Sequence, residues 1–135
     1  MTFSIGTDIV ELSRVRRLDA LFGARFREKF LHPSELSRAA ALAEPSRAAS
    51  YLAARWAAKE ALHKAFNGAS PRPLRFLFPE MELAAGASGA PFFRLHGAAR
   101  AHCAAQRLHV SVSVAHERSA AVAFVVAQER PVALA

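Results

Sequence analysis

The chain has 135 residues, 53% of them hydrophobic, enough for one globular domain spanning residues 1–135 with a real core and too few for several. Its 18 basic and 11 acidic residues leave a net charge of +7, which points to an acidic or phosphate-bearing partner. The single cysteine, Cys103, excludes an internal disulfide and any multi-cysteine metal site, and suits a reducing cytoplasmic setting. No apolar run approaches the roughly 20 residues that span a bilayer, and the N-terminus lacks the pattern of a secretory signal.

The stretch Phe3–Val10 alternates as a strand does, with Phe3, Ile5 and Ile9 on one side and Gly6 and Asp8 on the other. Residues 13–30 carry a helical apolar period broken near Gly23, with Arg14, Arg16, Arg17, Arg25 and Arg27 on the remaining surface. Ser34 is expected to cap a short helix reaching Leu42, and a long helix is expected from Pro45-Ser46 to about Asn67. The turn cluster "NGASPRP" ends it. Residues 74–84 and 90–95 read as antiparallel strands, the first weakened by Pro79; residues 97–107 read as helix, and 108–114 and 120–127 as closing strands. Strands and helices in mixed order predict an α+β fold, a mainly antiparallel sheet packed by the long central helix.

The long helix contains "RWAAKEALHKAF", in which Arg55, Lys59, His63 and Lys64 surround one acid, Glu60. A solvated face explains such a pattern, and a Glu60–Lys64 pair at i, i+4 adds only about 0.3–0.5 kcal/mol to the helix. A phosphate site explains it too: magnesium takes a few carboxylate oxygens together with phosphate oxygens, so Glu60 and a distant acid such as Asp8 would suffice, with cations neutralising the phosphate. Asp8 as a helix cap is the competing reading. His109, entering the Val110–Val114 strand, is a further candidate acid, base or phosphate donor. His96, His102 and His116 lack metal-ligand spacing and no HExxH occurs, which argues against zinc; no Walker loop or GxGxxG is present.

Three stretches in this order, "IGTDIVELSRV", "YLAARWAAKEALHKAF" and "LHVSVSVAHERSAAVAFVVA", resemble bacterial holo-acyl-carrier-protein synthases, small phosphopantetheinyl transferases, over nearly the whole chain. The resemblance implies magnesium-dependent transfer of 4'-phosphopantetheine from coenzyme A to a serine of apo acyl carrier protein in fatty acid biosynthesis, by a homotrimer with sites between subunits. It implies Asp8 and Glu60 as metal ligands, Lys64 beside the coenzyme A phosphates, and Arg55, Lys59 and His109 lining the same pocket. Glu60 or a metal-bound water would take the serine proton. The arginine helix would dock the acidic carrier through Arg14, then Arg17 and Arg25, with Leu18, Leu21 and Phe22 either at the centre of that contact or, for at least two of them, in the core. The loop "NGASPRP" and the segment around Val114, Ala115, His116 and Glu117 depart from the family pattern. A non-catalytic basic module binding RNA or an acidic protein is the alternative, weakened because the aromatic residues sit at apolar-periodic positions rather than interleaved with basic ones.

Overall fold

The computed structural model describes residues 3–134. Those residues form five strands and five α-helices in the order β1 (Phe3–Glu11), α1 (Leu12–Phe22), α2 (Ala24–Glu28), α3 (Pro33–Ala40), α4 (Pro45–Gly68), β2 (Met81–Ala85), β3 (Pro91–Leu95), α5 (Gly97–Ala105), β4 (Leu108–His116) and β5 (Ala120–Glu129). The α+β expectation holds, with one refinement: the strands form two sheets. A three-stranded antiparallel sheet has the order β1-β5-β4, and β2 and β3 make a separate antiparallel pair.

The 24-residue helix α4 lies across the inner face of the three-stranded sheet, against β1 and β5. Alanines permit this: Ala53, Ala57, Ala58, Ala61 and Ala65 are fully buried, so the helix backbone sits close to the strands. Val10, Ala121, Ala123, Val125 and Ala127 supply the sheet side of that core, while Phe26, Phe30 and Trp56 close its end with ring centroids 5.1–5.6 Å apart. The outer face of the same sheet is apolar as well. Phe3, Ile5, Ile9 and Phe124 stand 56–70% exposed there, in register across β1 and β5.

Two local expectations change and a third holds. The helix after Leu31 is capped by His32 rather than Ser34: Pro33 takes the first helical position, where its missing N–H costs nothing, His32 Nδ1 accepts from the Ser34 N–H, and Glu35 accepts from the His32 N–H. The strand expected over residues 74–84 is confined to Met81–Ala85, because Pro79 sits in a 3-10 turn at Phe78–Glu80. The break near Gly23 is real, with Gly23 at φ 52 separating α1 from α2.

Candidate active site

The site begins with a glycine. A Cβ on Gly6 would lie 1.9 Å from the Ala61 carbonyl oxygen and 2.9 Å from the Ala65 nitrogen, so only glycine lets β1 cross α4 at this distance. Beside the crossing, the buried Ser4 hydroxyl donates to the Ala65 carbonyl at 2.6 Å, fixing the register between strand and helix. Two residues beyond Gly6 on the same inward face stands Asp8. Lys64, one turn after Glu60, reaches over and donates to both Asp8 Oδ1 and the Thr7 carbonyl at 3.0 Å. Residues 56 positions apart in sequence thus meet at the edge of the helix-sheet contact.

Glu60 faces the same place. Burial raises its pKa above the ordinary carboxylate value, and the negative charge of Asp8 raises it further, against the opposing charges of His63, Lys64 and Arg14. Two carboxylates close enough to repel, both partly buried, form an oxygen-only donor set that a hard divalent cation would relieve, and the residues therefore fit magnesium. Arg14, on α1, is exposed and near enough for its charge to reach Glu60.

The remaining predicted residues do not join this cluster. Lys59 is fully buried, with its ammonium 2.5 Å from both Glu35 Oε1 and the Phe30 carbonyl. Burial lowers its pKa, against the favourable charge of Glu35. It therefore belongs to the core, and its expected place beside a phosphate is corrected: the helix is buried on nearly every side here, and adjacent residues 59 and 60 point in different directions. Arg55 shares that core carboxylate, its Nε 3.7 Å from Glu35 Oε2 and its guanidinium 3.6 Å from the centre of the Tyr51 ring. On its solvent side Arg55 lines an open basin of about 470 Å³ with Arg38, Arg47, Tyr51 and His116. Sequence reasoning missed this basin, whose basic residues come from two helices and the end of β4.

His109 lies elsewhere. It pairs with Gln128, which in turn pairs with Phe3, so it stands on the outer, exposed face of the sheet. Val114, the β4 residue level with Asp8 through Ala123, is five residues further on, roughly 16 Å along the strand. Within one chain, His109 and Glu60 do not share a pocket.

Arg17 and Arg25 are exposed on α1 and α2. Arg25 borders an apolar groove of about 370 Å³ walled by Leu18, Phe22, Phe26, Phe30 and Trp56, with Glu60 at its edge. Leu21 and Phe22 are 67% and 54% exposed, so the expectation that most of this trio packs in the core does not hold; only Leu18 packs against it.

Known proteins resemble this chain over more than nine-tenths of its length. The sequence profile of the 4'-phosphopantetheinyl transferase superfamily matches residues 4–125. The holo-[acyl-carrier-protein] synthase of Methylibium petroleiphilum is 40% identical over 130 residues, covering 95% of this chain and 97% of that protein. The crystal structure of the holo-[acyl-carrier-protein] synthase of Neisseria meningitidis superposes with a TM-score of 0.78 at 36% identity, covering 93% of this chain and 98% of that one. The Helicobacter pylori holo-[acyl-carrier-protein] synthase in complex with coenzyme A superposes with a TM-score of 0.73 at 27% identity, covering 92% and 99%.

Proposed function

The chain belongs to the 4'-phosphopantetheinyl transferase superfamily, and from that premise we propose that it is a holo-acyl-carrier-protein synthase, a single-domain enzyme moving 4'-phosphopantetheine from coenzyme A to a serine of apo acyl carrier protein. The observation that carries this reading is the meeting of Asp8, Glu60 and Lys64 where β1 crosses α4. Coenzyme A brings a diphosphate and a 3'-phosphate, and a site of two acids and a lysine, with further arginines nearby, matches that charge distribution.

Asp8 and Glu60 would hold magnesium, which when bound neutralises diphosphate oxygens and eases charge build-up during transfer. Lys64 lies against Asp8 with half of its side chain exposed, free to turn to an incoming phosphate. In the reaction the carrier serine oxygen bonds to the phosphorus bearing the pantetheine, and the bond from that phosphorus to the bridging oxygen breaks. Adenosine 3',5'-bisphosphate leaves with the electron pair, and Lys64 stabilises its charge. Glu60, or a water beside it, would accept the serine proton.

Arg14, Arg17 and Arg25 line the side from which an acidic carrier would approach, and exposed Leu21 and Phe22 give that contact an apolar centre. The outer sheet face of Phe3, Ile5, Ile9 and Phe124 calls for cover, which a homotrimer would supply. Assembly would also carry His109, on that face, toward a neighbouring subunit's site. No helix among the described residues is long and apolar enough to cross a membrane, and a cytoplasmic setting follows from the substrates.

The test is intact-mass spectrometry of apo acyl carrier protein incubated with this protein, coenzyme A and magnesium. The expected result is a gain of one phosphopantetheine, abolished by omitting metal and in Asp8→Ala and Glu60→Ala. No gain with the wild-type chain across several carrier proteins would refute the reading.

A further inference from the structure

A second group of metal-ligating side chains is drawn from three separate elements. His32 caps α3, Glu82 is on β2, and His96 precedes α5, and their ligating atoms all lie within 4.8 Å of one another. His32 Nδ1 is 3.6 Å from Glu82 Oε2, and His96 Nε2 is 3.1 Å from Glu82 Oε1. Two ligands of a tetrahedral ion bound at about 2.0–2.1 Å stand about 3.4 Å apart; each histidine lies near that distance from a different oxygen of Glu82, so side-chain movement is needed to bring all three ligating atoms onto one ion.

The group is also held in place. The His32 N–H donates to Glu35 and the His96 N–H donates to the Glu80 carbonyl, each at 2.8 Å, which fixes both backbones. The imidazole rings stack at a centroid distance of 4.4 Å with 13° between planes, placing both against one carboxylate. Glu82 is 5% exposed and is further oriented by the Ser34 hydroxyl at 2.6 Å, as an outer hydrogen bond orients a ligating carboxylate. Arg94 also donates to Glu82, at 3.2 and 3.3 Å, but its side chain is 56% exposed and can swing into solvent. As stacked, the two rings do not aim their nitrogens at one point, so binding would require rotation about their χ2 torsions, which are soft, and His32 Nδ1 would exchange its bond from the Ser34 N–H for the ion.

We propose that His32, Glu82 and His96 form a binding site for a borderline transition-metal ion of the zinc class, distinct from the Asp8 and Glu60 pair and independent of the transfer reaction. Two imidazoles and one carboxylate suit zinc, which takes nitrogen and oxygen ligands in four-coordinate geometry, and do not suit magnesium, which prefers oxygen alone. A bound ion clips the start of α3 and the start of α5 to the two-stranded sheet, with water at the fourth position. The histidine spacing in the sequence argues against zinc because these ligands are separated by 50 and 14 residues, and folding alone brings them together.

The test uses untagged full-length protein stripped of metal and titrated with zinc chloride by calorimetry in saturating magnesium, which occupies oxygen-only sites. The expected result is a single zinc ion per chain, a raised thermal midpoint, and affinity weakened by at least about tenfold in His32→Asn and in His96→Asn. Asparagine is a good N-cap and can replace the cap His32 supplies to α3, the His96 side chain makes no such bond, and far-UV circular dichroism checks that each variant is folded. Cobalt(II), a spectroscopic stand-in, should give visible absorption bands in the wild type that vanish in His96→Asn. Absence of zinc binding, equal affinity in wild type and both variants, or displacement of zinc by magnesium would each overturn the proposal.

Discussion

Glu82 keeps its charge in a nearly closed environment. Burial by itself would raise its pKa, but hydrogen bonds from Ser34 and His96, the charge of His32 and the bond from Arg94 outweigh it and hold the group at about 2. A carboxyl depressed from 4.5 to about 2 by folding stabilises the protein above its unfolded pKa, and this contribution is lost as pH falls through the folded value. At about 1.4 kcal/mol per pKa unit it amounts to about 3 kcal/mol. Urea unfolding of metal-free protein between pH 6 and 2 should therefore show a steep loss of stability below about pH 4.5, and Glu82→Gln should be weaker at neutral pH with a flatter acid limb. Lys59 shows the opposite balance: desolvation lowers its pKa against the charge and hydrogen bond of Glu35 and the charge of Glu82, and with the Phe30 carbonyl Glu35 leaves no unpaired ammonium in the core.

At the scale of elements, the contact of β1 with α4 is both structural and functional. Strand and helix touch through backbone at Gly6, and Asp8 meets Lys64 only because of that approach. Gly6→Ala would force the strand off Ala61 and Ala65, whose backbone atoms cannot yield as a flexible side chain would. The expected outcome is a loss of stability of about 1–3 kcal/mol by chemical denaturation, as overpacking gives, with a larger proportional loss of transferase activity in whatever remains folded. Ser4→Ala, which removes one buried hydrogen bond to the Ala65 carbonyl without adding bulk, should cost less in both.

For the whole molecule, the proposed trimer would cover the exposed outer sheet face. Phe124 stands level with Thr7 and Ser113 at the centre of the exposed patch, and a lysine there would put a charge into any interface that covers it. Light scattering coupled to size exclusion should find wild-type trimers and Phe124→Lys monomers. The monomers should lose most transferase activity while keeping native circular dichroism, because under the proposed assembly His109, on the outer face, would reach a site only in a neighbour. A monomeric wild type would count against assembly through this face.

Where a residue's role follows from its immediate neighbours, the sequence already carried it. Strict alternation over Val110, Val112 and Val114 makes β4 legible, Gly23 marks the break between α1 and α2, and charge pattern makes Asp8, Glu60 and Lys64 candidates whose roles the family resemblance implies. What it could not say was which way α4 faces. A helix buried on almost all sides has no polar stripe to orient it, so Lys59 and Glu60 looked equivalent, and only packing against β1, β5 and Glu35 sent one into the core and left the other beside Asp8. The same holds for His32, Glu82 and His96, whose proximity depends on how α3, β2 and α5 pack together. Periodicity and propensity are local quantities, set within a turn or two of chain, whereas both sites are built across contacts whose closure only the folded core determines.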